Sequence, residues 1–377
     1  MSRLARVEVS AADEVAIVHV MSSTVRWCFL RGDDPVTGRN YDHRKVWIDE
    51  QIVHQAKHLG IDLLCQAIMS NHLHLVLRSR PDAFRDWNSE GVAHRWLMLC
   101  PERRDEERRP PQPTEFEINR IVNNEEKLAS LRSRLSDISW WMRLLCQNVA
   151  QRANREDNEV GKFWQAHYRA VRLLDEISIV SCAVYVDLNP IRAAISETIA
   201  ESDLTSAQKR LLNLQSQTKI QQASAESDSK VVTTTAAVGN DPVVALDLHS
   251  SQHLAPVELN EHAGQTGADA NREGVRCSNK GFLSMSTGQY LSLLEWTARQ
   301  QRVAKRGRKP KWIRRLFNRR GISASVWNEL VRNFGRLFSI VAGKPAVVDT
   351  HKPRFGVHRY RAIPLARDLL AKASASV

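Results

Sequence analysis

The hydrophobic positions of this chain change period several times, and each change marks an element. Residues 15–30 (VAIVHVMSSTVRWCFL) are rich in β-branched and aromatic side chains and read as a strand, with room for a turn. Over 44–59, Ile48, Ile52, Val53, Ala56 and Leu59 recur at helical spacing, and Gly60 stops the run. Residues 61–68 (IDLLCQAI) read as a strand, MSNH as a short turn and HLHLVLRS as the next strand, so the pair makes a hairpin. A helix is predicted over 89–99. The charged, Pro-rich stretch 101–115 (PERRDEERRPPQPTE) then reads as a loop. Helical spacing returns over 116–135 and 137–154; FWQAHYRAVRLL reads as a strand, and a helix runs from Asp175 to Leu188, halted before Pro190.

Beyond Tyr185 no Phe, Trp or Tyr occurs until Phe282. Within that gap, residues 216–277 are dominated by Ser, Ala, Thr, Gln, Asp and Asn, a composition that buries little and predicts a disordered linker. Helical pattern resumes with FLSMSTGQYLSLLEWTARQ, capped by Ser286 or Thr287, and with VWNELVRNFGRLFSIVAG, which ends at Gly343. The expected division is a main domain over 1–215 with a helical insertion at 101–155, a linker over 216–277, a small helical basic module over 278–345 and a basic tail over 346–377.

Charge changes the picture next. The 377 residues carry a formal net charge of +12 and a pI of about 9.7, which favours a polyanionic partner, because each Lys or Arg placed on a phosphate releases condensed counterions. Six cysteines without CxxC spacing argue against a zinc ribbon and against a disulfide framework. No apolar window approaches the length of a signal peptide or a membrane span, so a reducing, cytoplasmic setting is expected.

The strongest local chemical signal is His72-Leu73-His74-Leu75-Val76-Leu77. On a strand, alternate side chains share a face. Leu73, Leu75 and Leu77 point into a core; His72 and His74 point the other way, with Cα atoms roughly 6–7 Å apart, a separation at which two imidazoles can converge on one divalent ion. An isolated HxH pair is more often two unrelated histidines on a half-exposed strand, so the pair needs a partner. The candidate is Tyr185-Val186-Asp187-Leu188-Asn189-Pro190. Tyr185 and Asn189 are four apart and share a helical face, and Pro190 puts Asn189 at the helix end, where its side-chain oxygen is free to reach a metal. The plainer reading makes Asn189 a helix-ending residue and Tyr185 a buried ring. No GxxxxGK[ST] phosphate loop occurs anywhere in the chain.

An HxH strand (HLHLVL) followed by a helix carrying YVDLNP resembles the HUH single-tyrosine transposases, and most of all the REP-associated tyrosine transposases. WWMRLLCQNVAQRANREDNEVGKFWQAHYRAVRLLDE, AVYVDLNPIRAAI, VHVMSSTVRWCFLRGDD, MSNHLHLVL and NELVRNFGRLF carry the likeness, which covers most of 15–215 and parts of 281–343. The resemblance implies an α+β fold, the HUH endonuclease fold, in which a ferredoxin-like antiparallel sheet with flanking helices presents the histidines. It implies Tyr185 as nucleophile, His72, His74 and Asn189 as metal ligands, and Mg²⁺ or Mn²⁺ as the ion. It implies cleavage of single-stranded or hairpin DNA through a 5′-phosphotyrosine and rejoining without ATP. The long charged insertion and the long C-terminal extension depart from the simplest members and leave the DNA substrate open, as the sequence leaves open whether the chain is a monomer or a homodimer. A non-catalytic DNA-hairpin-binding protein is the alternative.

Residues 299–320 hold eleven Lys and Arg and no acid, with Trp312 and Phe317 interleaved. Lys305, Arg306, Arg308, Lys309, Lys311, Arg314 and Arg315 are expected on phosphates and Trp312 on an unpaired base, in a module that strengthens DNA binding and stands apart from bond breaking. Tyr168 is the rival nucleophile, and His19 either faces the site or packs beside it.

Overall fold

The hairpin at 61–79 sits at one side of a sheet that the rest of the chain extends and covers. In the computed structural model the described residues are 14–25, 28–83, 87–106, 109–228, 251–260, 274–301, 310–351 and 364–374. Strands β1 (Ile17–Ser23), β2 (Ile61–Ile68), β3 (His72–Ser79), β4 (Arg169–Leu173) and β5 (Val341–Ala342) form one sheet in the order β2-β3-β1-β4-β5. Each of the first four is antiparallel to its neighbours among them; β5 runs parallel to β4. The fold is α+β, and its sheet is mixed instead of antiparallel throughout. β5 arrives after a long excursion through helices, and such crossovers permit parallel pairing where a tight turn does not.

Helix α1 (Asp42–His58) and helices α2 (Ser89–Leu99), α3 (Glu115–Val122), α4 (Glu125–Leu135) and α5 (Ile138–Asp157) belong to one face of the sheet. There Val18, Val20, Leu73, Leu75 and Leu77 meet Ile52 of α1 and Trp141, Leu145 and Val149 of α5. The other face carries Val76 and Val171 and is covered by α6 (Glu176–Asp187) and by helices from far along the chain: α9 (Thr287–Gln301), α10 (Lys311–Arg320) and α11 (Ala324–Leu337). Between α6 and α9 lie α7 (Asn189–Arg192) and α8 (Ser206–Asp228); α12 (Pro345–His351) and α13 (Pro364–Ser374) follow β5. A register shift between Leu63 and Cys65 lets Leu63 face the first core while Leu64 and Cys65 face the second.

Several elements differ from the periodicity. The run 116–135 is two helices, because Asn124 starts α4 by accepting the Lys127 amide at 2.8 Å. The strand at FWQAHYRAVRLL contracts to Arg169–Leu173. Pro190 does not end helical structure; it opens the next turn, α7, at a position that needs no amide donor. No helix among the described residues is long and apolar enough to cross a membrane.

Within the expected linker, the described residues are ordered. α8 continues to Asp228, and Leu254, Ala255, Val257 and Cys277 are buried. The Ala255 amide donates to the Leu63 carbonyl at 2.8 Å, which docks this segment on β2. Ser278 donates to Asp62 at 2.9 Å, inside a buried cluster where Arg78 and Arg80 reach the same carboxylate at 2.6 and 3.3 Å. Gly281 permits the approach: a Cβ there would lie 1.8 Å from the Glu258 carbonyl oxygen. A polar composition misses this because the backbone and a few small apolar pegs make the contact. Residues 229–250 and 261–273 lie outside the described residues.

Candidate active site

The turn before β3 is pinned from two sides. Asn71 accepts the Thr24 amide at 2.9 Å, and Ser70 accepts the Leu30 amide at 2.7 Å. β3 leaves this turn with His72 and His74 on the face away from the leucines, as the alternation predicts. That face is closed: His74 is buried, and His72 is partly so. Their ring centroids are 5.0 Å apart.

His19 joins them from β1. The register pairs Met21 with His74, which sets His19 diagonally beside it. His19 Nε2 and His74 Nδ1 are 3.0 Å apart, and the rings stack at 5.2 Å. His72 Nδ1 lies 2.8 Å from Asn71 Oδ1 and donates to it, which leaves the Nε2 lone pair outward. His74 Nε2 is buried and has no partner among the described residues. Burial holds His74 well below the usual imidazole range, with the neighbouring His19 and His72 adding to it. Burial, and then the charge of Arg169, lowers His19 to about 3. Burial also lowers His72. The three rings are therefore neutral at pH 7, the form that ligates a cation.

Tyr185 reaches this group from α6. Asp175 starts that helix with a capping box, accepting the Ser178 amide at 2.8 Å. The Tyr185 ring stands edge-on to His74 at 5.6 Å and to His19 at 6.0 Å. Phe334 of α11 packs on it at 5.6 Å, and the Arg192 guanidinium lies 4.6 Å from its centroid. Asn189, four residues on, is 8% exposed, and its Nδ2 also lacks a partner among the described residues. A rotation of the carboxamide presents its oxygen in the same place.

A buried polar atom left unpaired costs ~1–3 kcal/mol, which a ligand can offset. His72 and His74 offer imidazole nitrogens and Asn189 an amide oxygen, donors suited to a divalent cation. Among the described residues no group of three or more His, Cys, Asp or Glu is arranged for a metal.

The other candidates divide. The Tyr168 hydroxyl donates to Ser139 at 3.1 Å, and its ring packs with the leucine-side core, away from the histidines. Tyr290 is buried and donates to Asp187 at 2.6 Å. Asp187, whose carboxyl is pushed up by burial, also accepts from Ser206 and from the Ala207 amide at 3.1 Å, so it ties α6 to α8 and α9. Lys305, Arg306, Arg308 and Lys309 lie outside the described residues. Lys311, Arg314 and Arg315 are exposed on α10, whose other face buries Ile313 and Phe317; Trp312 is partly buried against that core. Arg320 of the same run pairs with Glu176, so part of this charge is structural.

The sequence reading gave the C-terminal module no place at the site, and the structure puts it there. α11 walls Tyr185 with Phe334 and Gly335, and a Cβ at Gly335 would lie 3.0 Å from the Tyr185 hydroxyl oxygen. A cavity of about 400 Å³ opens beside Tyr185 and His19, lined also by Arg169, Arg192, Arg332 and Arg336. For Arg332, Gly335 and Arg336 the signal in the sequence was NELVRNFGRLF, whose two arginines are four apart. Comparison with protein-family models, with curated proteins and with solved structures finds no match to this chain.

Proposed function

We propose that this chain is a metal-dependent DNA nicking-and-joining enzyme, a transposase of the single-tyrosine HUH class acting on single-stranded or hairpin DNA. One observation carries the reading: the Tyr185 ring centroid lies 5.6 Å from that of His74, whose buried Nε2 has no partner among the described residues. The antiparallel order β2-β3-β1-β4 agrees, since it is the ferredoxin-like arrangement of the class.

The Tyr185 oxygen attacks a backbone phosphorus. The bond from phosphorus to the 3′ oxygen breaks, the phenol proton passes to water, and the departing oxygen takes up a proton as a free 3′-hydroxyl. The 5′ side stays on the protein as a phosphotyrosine, which conserves the phosphodiester's free energy. Attack by a 3′-hydroxyl reverses the step and needs no nucleoside triphosphate. Arg192 holds a positive charge beside the ring, where negative charge gathers during attack. His72, His74 and Asn189 would hold Mg²⁺ or Mn²⁺, which when bound withdraws charge from the phosphate as a Lewis acid. His19 fixes the orientation of the His74 ring.

The test is incubation with an end-labelled hairpin-bearing single strand and Mn²⁺, read on a denaturing gel. A covalent adduct is expected that vanishes in Tyr185→Phe and with chelator. A gel shift without adduct supports the non-catalytic hairpin binder instead, and cleavage that survives Tyr185→Phe indicates a water nucleophile.

A further inference from the structure

We infer that α11 builds an anion subsite against Tyr185 that receives a phosphodiester of the bound nucleic-acid strand. Four arginines from three separate elements line the cavity: Arg169 from β4, Arg192 from α7, and Arg332 and Arg336 from α11. Among the described residues no Asp or Glu lines it. Among the described residues no carboxylate forms an ion pair with Arg169, Arg332 or Arg336. This differs from the basic run on α10, where Arg320 is held by Glu176.

The local backbone is shaped for the arrangement. Arg332 and Arg336 are four apart and share a helical face. Between them Asn333 leaves helical geometry (φ −113°, ψ 17°), so the helix bends where it passes Tyr185. Gly335 sits at the closest approach, where a Cβ would stand 3.0 Å from the hydroxyl oxygen. The Arg192 side chain donates to the Arg332 carbonyl at 2.7 Å, which joins α7 to α11. Guanidinium groups gathered without a carboxylate repel one another, and an anion among them reverses the sign of that interaction. Guanidinium also matches phosphate with paired donors, in a way ammonium does not. A phosphodiester held here lies next to the phenol oxygen.

The subsite stands on its own geometry; only the use of the phosphate rests on Tyr185 as nucleophile. The experiment separates the two. Binding of a fluorescent hairpin-bearing single strand is measured by anisotropy without added metal, on the full chain carrying Tyr185→Phe, with and without Arg332→Gln and Arg336→Gln together. Dissociation constants are taken over a range of salt. The double substitution is expected to weaken binding at least tenfold and to reduce the slope of log affinity against log salt by ~1.4, from ~0.7 per lost phosphate contact on a single strand. Both side chains are exposed, so the thermal unfolding midpoint should hold. Arg332→Lys with Arg336→Lys should recover part of the affinity, which a merely misfolded variant would not. An unchanged affinity and slope overturns the subsite, even if the parent chain forms its tyrosine adduct. Weakened binding in a chain that never forms an adduct keeps the subsite and removes only the nucleophile reading.

Discussion

The two faces of the sheet are closed in different ways and hide different things. The leucine face is covered by α1 to α5, all drawn from the segment between β1 and β4, with Leu254 the one distant contributor among the described residues. It buries apolar side chains against apolar side chains. The histidine face is covered by α6 and by helices as far along the chain as α13, and it encloses His19, His74 and the unpaired ends of His74 and Asn189. Among the described residues both faces hold unpaired buried polar atoms, Gln55 Oε1 and Trp141 Nε1 on the leucine side and His74 Nε2 and Asn189 Nδ2 on the histidine side; the histidine side sets its unpaired imidazole nitrogen beside Tyr185, which lines an open cavity, as sites poised for a ligand do.

Cutting the chain after residue 215 should break this comparison most severely. The fragment loses Tyr290, Leu294, Trp327 and Phe334 among many from the histidine-side core. Each such side chain contributes ~1.5–3 kcal/mol, and the sum exceeds the ~5–15 kcal/mol that holds a domain folded. We expect no cooperative thermal transition by near-ultraviolet circular dichroism. A cooperative melt would mean that the leucine face defines the domain by itself.

A paired substitution sharpens the contrast at smaller scale. Leu75→Ala on the leucine face should lower unfolding free energy by ~2–5 kcal/mol in denaturant titration, because a cavity replaces a fully buried side chain. Replacing His19 and His74 together by leucine should leave that free energy unchanged or raise it, since both members of a buried polar pair go at once. The same double variant should form no adduct. A loss comparable to that of Leu75→Ala would show that the histidines serve packing.

The smallest effect is expected at the seam between the regions. Gly335→Ala places a methyl 3.0 Å from the Tyr185 hydroxyl oxygen, so the ring must yield by a few tenths of an ångström. Adduct formation should slow by ~10-fold, in line with the sensitivity of attack to small misplacements, while the unfolding midpoint barely moves. An unaltered rate would place the productive position of the ring away from α11.

Much of the leucine side was legible because its signals are local. The hairpin, α1 and α2 follow from apolar period and flanking glycine or asparagine. The HLHLVL alternation assigned each histidine and leucine to its face before any partner was known. At the site, His72, His74 and Tyr185 were singled out by pattern and are brought together by the fold. His19 was left between facing the site and packing beside it, because only the diagonal set by strand register decides the matter. Asp187 lies inside the YVDLNP block yet serves as a buried tie between helices.

The sequence by itself determined the hairpin, α1, α2, α5 and α6, which face of β3 each side chain takes, and that the molecule carries excess positive charge. Those properties depend on neighbours within one or two turns. Only the tertiary structure decided that β5 pairs with β4, that residues 251–260 dock on β2, and that Arg332, Gly335 and Arg336 stand around Tyr185. These contacts join segments separated by 140 residues or more, as between Arg192 and Arg332. They arise from the mutual fit of surfaces that exist only after each segment has folded, and no period along the chain records such a fit.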